Sequence, residues 1–446
     1  MPFVLPVEQA FSPLDEELRL LPGSVTPSLV ESIVRLGTWM PFTPAAKMLS
    51  YFTKVDISEA TARRTTESAG QAYIEVQTSQ VETLERELAE CPEGPAVQQI
   101  SVDGAMVPLL HKQWAEVKTL AIGTVQEPVL KKGEWEIHTE ELSYFSRLAD
   151  HETFARLATV ETHRRGTETA GLVCAVVDGA EWEQKFIDLH CPNAVRILDF
   201  PHAAEYVAKA GQAVFGAGTA ETSEWLGVQL HELKHGDSQA VLTKLRGLRD
   251  DLAAQVEEGQ GDSEALAVVT SSLEYLEKRQ EQIRYREFLA AGYPIGSGAV
   301  ETANKLLVEA RMKGAGMHWA RENVNPMVAL RTIACGDRWD EAWVEISERL
   351  CQQAKERAEQ RRAEQRGAKV SITLVALPME GPEEKDVAPV VQSPAIVTKS
   401  RANLTLAKAD EKPAGSRRPA ANHPWRHMPI GRARFARSTA QVTAET

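Results

Sequence analysis

The chain has 446 residues, of which 43% are hydrophobic and 25% are charged. This mixture supports a sizeable core and excludes wholesale disorder, and the length favours two or three structural units. No run of eighteen apolar residues occurs, and the first twenty residues combine acids and prolines where a signal peptide needs a basic start and an apolar stretch. The sequence therefore predicts a cytoplasmic protein with no membrane partner.

The charge is unevenly distributed. The net charge of −13 argues at first against a nucleic-acid partner. However, the stretch from Lys399 to Arg437 holds ten Lys and Arg residues and two acids. Because the local field governs phosphate binding, this tail is predicted to bind DNA nonspecifically.

The five cysteines are scattered along the chain, with no CxxC motif and no Cys/His ligand spacing. This pattern disfavours disulfides and a structural zinc site.

Residues 1–95 are predicted to form a helical region. Residues 42–73 predict two short helices: an apolar group at Ala46, Leu49 and Phe52 indicates the first, and Ser58 is a candidate N-cap for the second. If this pair is a helix-turn-helix, Arg63 and Arg64 would face DNA. An ordinary helical hairpin with a solvated basic pair explains the same pattern. A Glu-rich helical stretch, 71–90, follows, and the CPEGP segment predicts a domain boundary.

Residues 96–202 predict a mixed α/β unit. QQISVDGAMVPLL and WAEVKTLAIGTVQ read as a β-hairpin, and a third strand is expected over 135–144. A helix over 150–165, the strand GLVCAVV, a helix over 181–189 and the strand AVRILDF complete the unit. Helical crossovers between the later strands predict parallel pairing.

The remaining segments predict helices and a tail. Leucines at helical spacing predict an all-helical insertion over 203–286, and 287–345 returns to the α/β core. Residues 346–446 predict a charged helix and then a Pro-rich, basic tail, disordered beyond about residue 370.

Two aspartates occur in the same setting, SVDGAMV and VVDGAEW. Asp103 and Asp178 are each predicted at the C-terminal end of a buried strand, where ligands of open α/β sheets gather. Asp-Gly is also a common turn former, so either aspartate alone favours a turn. Their repetition favours a shared site.

Glu301 follows a Gly-Ser-Gly break, and Ser297 is a candidate cap for the helix that carries it. Pairing with Lys305 on the helix surface is the alternative. Two aspartates and a glutamate are the donors that two Mg²⁺ or Mn²⁺ ions need for phosphoryl transfer.

Several blocks of the chain resemble the ISKra-type group of bacterial insertion-sequence transposases, within the DDE class and distantly similar to Mutator-like proteins. The motifs are SVDGAMVPL, LSYFSRLAD, ETHRRG, DGAEW, ILDFPHAAEY, YPIGSGAVE, GAGMHWARENVNPMVALR and NHPWR. The resemblance implies an RNase H-like fold with a helical insertion, and DNA cleavage and strand transfer by Asp103, Asp178 and Glu301. Asp199 could replace Asp178 as a metal ligand, and His202 either contacts DNA or caps a helix.

The expected partners are the inverted-repeat ends of the transposon and a target DNA, bound by a dimer or larger assembly at the nucleoid. Lys305, Arg311 and Lys313 form a basic set around the last catalytic helix that could hold phosphates. Two alternatives remain open: a non-catalytic DNA-binding protein derived from a transposase, and another RNase H-like DNA nuclease.

Overall fold

The computed structural model describes residues 25–87, 89–131 and 134–373. The basic tail, 399–437, and the expected disorder of the C-terminal region lie outside these residues. None of the helices in the described ranges combines the length and apolar character needed to cross a membrane.

The N-terminal region consists of three helices. They are α1 (Pro27–Trp39), α2 (Phe42–Thr53) and α3 (Glu59–Arg86). Ser58 caps α3 as predicted, because its hydroxyl accepts the Thr61 N–H at 3.0 Å. Two expectations were wrong: α3 runs unbroken through 28 residues instead of ending as a short helix, and Phe52 is 71% exposed instead of packing with Leu49.

The central feature is an open, mixed sheet of five strands. They are β1 (Val97–Pro108), β2 (Trp114–Val125), β5 (Thr139–Arg147), β6 (Leu172–Val177) and β7 (Val195–Leu198), in the spatial order β5-β2-β1-β6-β7. The pairs β1–β2 and β2–β5 are antiparallel, and β1–β6 and β6–β7 are parallel. The predicted α/β class, hairpin and parallel crossovers are therefore confirmed.

The third predicted strand is divided in two. Residues 139–147 form β5, while β4 (Glu134–Glu136) pairs with β3 (Val129–Lys131) in a separate two-stranded sheet. Helices α4 (His151–Arg164) and α5 (Glu181–His190) lie in the crossovers on either side of β6. Asp150 caps α4 by accepting the Thr153 N–H at 2.9 Å. Phe154, on α4, and Phe186, on α5, pack in one core with Ile100 and Ile122 of the sheet.

Residues 203–286 are helical, and no strand occurs among them. The helices are α6 (Phe200–Phe215), α7 (Ala220–His235), α8 (Ser238–Glu257), α9 (Ser263–Glu277) and, next along the chain, α10 (Tyr285–Ala290). The predicted leucine stripes are buried: Leu242, Leu245 and Leu273 form one core with Val176 and Ile197 of the sheet.

The chain then returns to the sheet through a helix with an irregular centre. α11 (Gly298–Ala303), a π-helical turn (Asn304–Glu309) and α12 (Ala310–Met312) follow one another directly. α13 (Arg321–Cys335) and α14 (Trp339–Thr373) complete the described chain. Ser297 precedes α11, but its side chain makes no capping hydrogen bond.

The N-terminal helices pack on the C-terminal ones. Ala69 and Tyr73, on α3, share a core with Leu330, on α13, and Trp339, on α14. The backbones of α3 and α13 approach so closely that a Cβ atom at Gly70 would lie 2.2 Å from the Pro326 carbonyl oxygen. Only glycine fits at this crossing.

We expect Gly70→Ala to lower the free energy of unfolding by about 1–3 kcal/mol, because the added methyl group meets backbone that cannot rotate away. Urea denaturation of the whole chain measures the change. Gly247→Ala is the matched control: it lies inside α8, a Cβ there would have no neighbouring atom within 4 Å, and alanine should stabilise the helix by up to about 1 kcal/mol. Equal behaviour of the two variants would contradict the close approach of α3 and α13.

Candidate active site

Three aspartates lie at one edge of the sheet, beside adjacent parallel strands. The pairing of β1 with β6 ends at Ile100 and Ala175, and the pairing of β6 with β7 ends at Val177 and Leu198. Asp178 and Asp199 each follow the last residue of their strand. Asp103 was expected at the end of β1 but lies within it, because β1 continues beside β2 to Pro108.

The carboxylates at this edge influence one another electrostatically. Burial raises the pKa of Asp178 to about 6; the charge of His202 opposes this rise, and the carboxylates of Asp103, Asp199 and Glu301 add to it. Added positive charge would stabilise the ionised form of a carboxyl group in this setting.

Asp103 is held by two hydrogen bonds. Its Oδ1 accepts the Gly104 N–H at 2.6 Å, and its Oδ2 accepts the Asn304 Nδ2 amide at 2.8 Å. Burial raises its pKa, both hydrogen bonds oppose that rise, and the carboxylates of Glu116 and Asp199 add to it. Glu116 extends from the neighbouring strand β2, and the sequence alone gave no reason to single it out.

Asp199 has a different environment from Asp178. It is 3% exposed, its Oδ1 accepts the Ser297 N–H at 2.7 Å, and its Oδ2 accepts the His202 N–H at 3.0 Å. One carboxylate thus caps α6 and also holds the Gly-Ser-Gly turn before α11. Both oxygens are already engaged by backbone donors, so Asp199 is well suited to fix the geometry of the site.

Glu301 and Asn304 lie one turn apart on the helix that returns to the sheet. The Glu301 side chain is 48% exposed, and its Oε2 lies 3.9 Å from Lys305 Nζ. Asn304 is 6% exposed, and its buried Oδ1 has no hydrogen-bond partner although its Nδ2 donates to Asp103. Asn304 was not predicted from the sequence; its spacing of three from Glu301 was the available indication.

The loop after Asp178 is fixed by a buried glutamate from α5. Glu183 Oε2 accepts the Gly179 and Ala180 N–H groups at 2.9 and 3.0 Å. Burial raises the pKa of Glu183 to about 8, and the Asp178 carboxylate adds to that rise. Glu183 therefore shapes the loop and contributes to the local excess of acidic groups, a role that the sequence alone did not indicate.

The helical insertion reaches the same loop. The Tyr275 hydroxyl, on α9, donates to the Asp178 carbonyl, and Arg279 donates to the Gly179 carbonyl. The Arg279 guanidinium lies 3.7 Å from the centre of the Tyr275 ring, and Tyr206 stacks on the same ring at a centroid distance of 3.8 Å. Gly179 has φ +84°, and a Cβ there would meet Arg279 Nε at 2.3 Å. The insertion thus fixes the backbone that carries Asp178.

The basic residues that were predicted to contact DNA differ in their exposure and in their partners. Arg63 and Arg64 are exposed on α3, and Lys305 is exposed beside Glu301. Lys313 pairs with Glu309 at 2.8 Å. His202 is half-buried, with its ring 5.4 Å from that of Tyr206.

Arg311 requires a correction. It was expected to hold phosphates, but it is 3% exposed and its Nε and Nη2 donate to the Gly37 carbonyl at 3.1 and 3.0 Å. Its guanidinium also lies over the rings of Phe42 and Trp319. Arg311 therefore fastens the N-terminal helices to the helix that returns to the sheet instead of facing solvent.

The donors at this edge fit a divalent cation. Carboxylate and amide oxygens are the ligands that Mg²⁺ and Mn²⁺ prefer. The raised pKa values of Asp103 and Asp178 and the unpartnered Oδ1 of Asn304 are both features that a bound cation would satisfy. Within the described ranges, no three carboxylates have ligand oxygens that all lie within 4.8 Å of one another. The acids therefore lie near enough to affect one another's pKa, but three of them do not converge on a single point.

Comparison with known proteins gives no further assignment. No protein-family model matches the chain, and no curated protein matches it. Function is therefore inferred from the geometry of this edge and from the motifs.

Replacing Asp178 should reveal the mutual repulsion of the acids. Its pKa is raised from 3.8 to about 6, so the folded state binds the proton more tightly and stability is lost as pH rises through that range. Without divalent cations, Asp178→Asn should be more stable than the wild type at pH 7 by about 1–2 kcal/mol after allowance for partial exposure. The difference should vanish near pH 4.

Urea unfolding at several pH values measures this difference, with Asp251→Asn on the exposed surface of α8 as the control. A difference that does not change between pH 4 and pH 7 would show that Asp178 is not electrostatically strained.

Proposed function

We propose that this protein is a DNA transposase that cleaves and joins DNA strands at the ends of an insertion sequence, with Mg²⁺ or Mn²⁺ as cofactor. The observation that carries the proposal is the gathering of Asp103, Asp178 and Glu301 from three separate elements, with the pKa of both aspartates raised by burial and neighbouring acids. Carboxylates grouped in this way are suited to hold cations for phosphoryl transfer.

The sheet supports the RNase H-like part of the proposal. Three antiparallel strands are followed by two parallel strands with helical crossovers, in the order β5-β2-β1-β6-β7. Asp103 on the first strand, Asp178 after β6 and Glu301 on a late helix are in the chain order that the motif resemblance implies.

Each residue then has a distinct role. Asp103 and Asp178 are the metal ligands on the sheet, and Glu301, on α11, completes the acidic set. When bound, two ions would supply activation of the attacking oxygen and stabilisation of the leaving one. Asn304 orients Asp103 through its 2.8 Å hydrogen bond. Asp199 is assigned to positioning, because both of its oxygens accept backbone N–H groups.

The DNA would approach the open side of the Gly-Ser-Gly turn. A Cβ at Gly296 or Gly298 would meet no atom within 4 Å, so packing inside the described protein does not require glycine there. Small residues at such a position permit a phosphate backbone to come close. His202 and Lys305 would flank this region, and Lys313 lies at the far end of the same helical segment. Arg63 and Arg64 would provide a second contact, and two DNA ends require at least a dimer.

Another RNase H-like DNA nuclease is the second candidate, because the same carboxylates would serve it equally well. A transposase joins the cleaved end to a new DNA, whereas a nuclease releases it. The motif resemblance favours the transposase.

The decisive experiment uses a labelled DNA that carries the native element end, a target plasmid and Mg²⁺ or Mn²⁺. The wild type should cleave the end and join it to the target. Asp103→Asn and Glu301→Gln should each lower the cleavage rate by at least about 10³-fold, the scale for removing a group that acts within a catalytic unit. Asp199→Asn should leave more activity than Asp178→Asn.

Glu309→Gln is the matched control, since Glu309 lies on the same helix and pairs with Lys313. It should retain wild-type cleavage. Normal cleavage by Asp103→Asn would remove Asp103 from catalysis, and cleavage without joining would favour the nuclease.

Arg63 and Arg64 should act on DNA affinity and not on chemistry. Replacing both by Gln should weaken binding to the element end and reduce the slope of log K against log salt by about 0.9 for each phosphate that is no longer neutralised. Arg357→Gln, on the exposed part of α14, should leave the slope unchanged. If the double variant keeps the wild-type slope, α3 is an ordinary helix with a solvated basic pair.

A further inference from the structure

A second group of metal-ligating side chains lies away from the acidic edge. Cys91 belongs to the segment that joins α3 to β1, His163 is near the end of α4, and Glu168 is in the turn that follows. Their ligand atoms all lie within 4.8 Å of one another. In sequence Cys91 and His163 are 72 positions apart.

The distances suit a tetrahedral ion. His163 Nδ1 lies 3.7 Å from Cys91 Sγ and 3.7 Å from Glu168 Oε1. In a tetrahedral zinc site, bonds of about 2.3 Å to sulfur and about 2.0 Å to nitrogen place those two ligand atoms about 3.5 Å apart. Sulfur and nitrogen therefore need to move by a few tenths of an ångström only.

The backbone around the group is already fixed. The Gly94 N–H donates to the Thr169 hydroxyl at 2.8 Å, and the Gly171 N–H donates to the Pro95 carbonyl at 3.0 Å. A Cβ at Gly94 would lie 2.2 Å from the Gly166 carbonyl oxygen. The linker is thus pressed against the turn after α4, which holds the thiol beside the imidazole without help from a metal.

The charges in the group also favour a cation. The Glu168 carboxylate lies within 4.8 Å of the Cys91 thiol and adds negative charge there. A zinc ion would displace the thiol proton and neutralise both the thiolate and the carboxylate. The His163 side chain is 17% exposed and that of Glu168 is 42% exposed, which leaves a route for the ion and for a water molecule as fourth ligand.

We propose that Cys91, His163 and Glu168 form a zinc site that fastens the linker between the N-terminal helices and the sheet to the turn after α4. Zinc binds through Cys91 Sγ, His163 Nδ1 and a Glu168 carboxylate oxygen, and one proton leaves the thiol. Mg²⁺ does not compete, because thiolate and imidazole donors select zinc over hard cations. The site is independent of the acidic edge.

The test is the binding of Co²⁺ and Zn²⁺ to the whole chain in excess Mg²⁺. Co²⁺ should produce a thiolate-to-cobalt charge-transfer band in the near ultraviolet, and one equivalent of Zn²⁺ should abolish it. Cys91→Ser should remove the thiolate band. Cys91→Ser and His163→Ala should both lose the stoichiometric binding of Zn²⁺. Glu168→Gln, at a partly exposed position that tolerates change, should keep the thiolate band but bind zinc more weakly.

Two controls separate this site from others. Cys351→Ser should keep the band, which excludes Cys351 as its source. Asp103→Asn should also keep it while losing DNA cleavage, which separates the zinc site from the proposed active site. No thiolate band in the wild type, or an unchanged band in Cys91→Ser, would overturn the proposal and leave an ordinary thiol–imidazole contact; circular dichroism checks that each variant is folded.

Discussion

Repulsion between partly buried carboxylates is the constraint on which the rest of this structure depends. The parallel pairing of β6 between β1 and β7 brings Asp103, Asp178 and Asp199 to one edge, where Asp199 adds to the raised pKa of both Asp103 and Asp178. Such an arrangement persists only where other contacts hold it. Backbone N–H groups hold both oxygens of Asp199 and one oxygen each of Glu183 and Asp103. The pKa values of Asp103, Asp178 and Glu183 are nevertheless all raised, chiefly by burial.

The helices outside the sheet contact the elements that carry the acidic residues of this edge. The insertion contributes Tyr275 and Arg279, which hold the carbonyls of Asp178 and Gly179. Arg311 joins the N-terminal helices to the helical segment that begins at Gly298, because its guanidinium donates to the Gly37 carbonyl. Both helical regions are therefore fastened to backbone or to a helical segment that carries residues of the candidate site.

The two candidate metal sites differ in the kind of ligand that they offer. Oxygen donors from carboxylates and an amide surround the edge of the sheet and suit ions that retain water and bind phosphate. Sulfur and nitrogen donors meet at the linker and suit an ion that stays in place. The first arrangement is rich in acidic groups that do not converge on one point, whereas the second is compact and joins two parts of the backbone.

The sequence by itself determined what depends on neighbours along the chain. The cap at Ser58, the β-hairpin and the leucine stripes of the insertion were predictable, because propensity and periodicity act over a few residues. The two Asp-Gly motifs likewise indicated one site. Only the tertiary structure separated Asp199 from Asp178, buried Arg311, brought Asn304 to Asp103 and placed Cys91 beside His163. Each of these contacts joins residues that are far apart in the sequence, and no local pattern relates them. Only the packing of the folded chain therefore decides that backbone N–H groups engage both oxygens of Asp199.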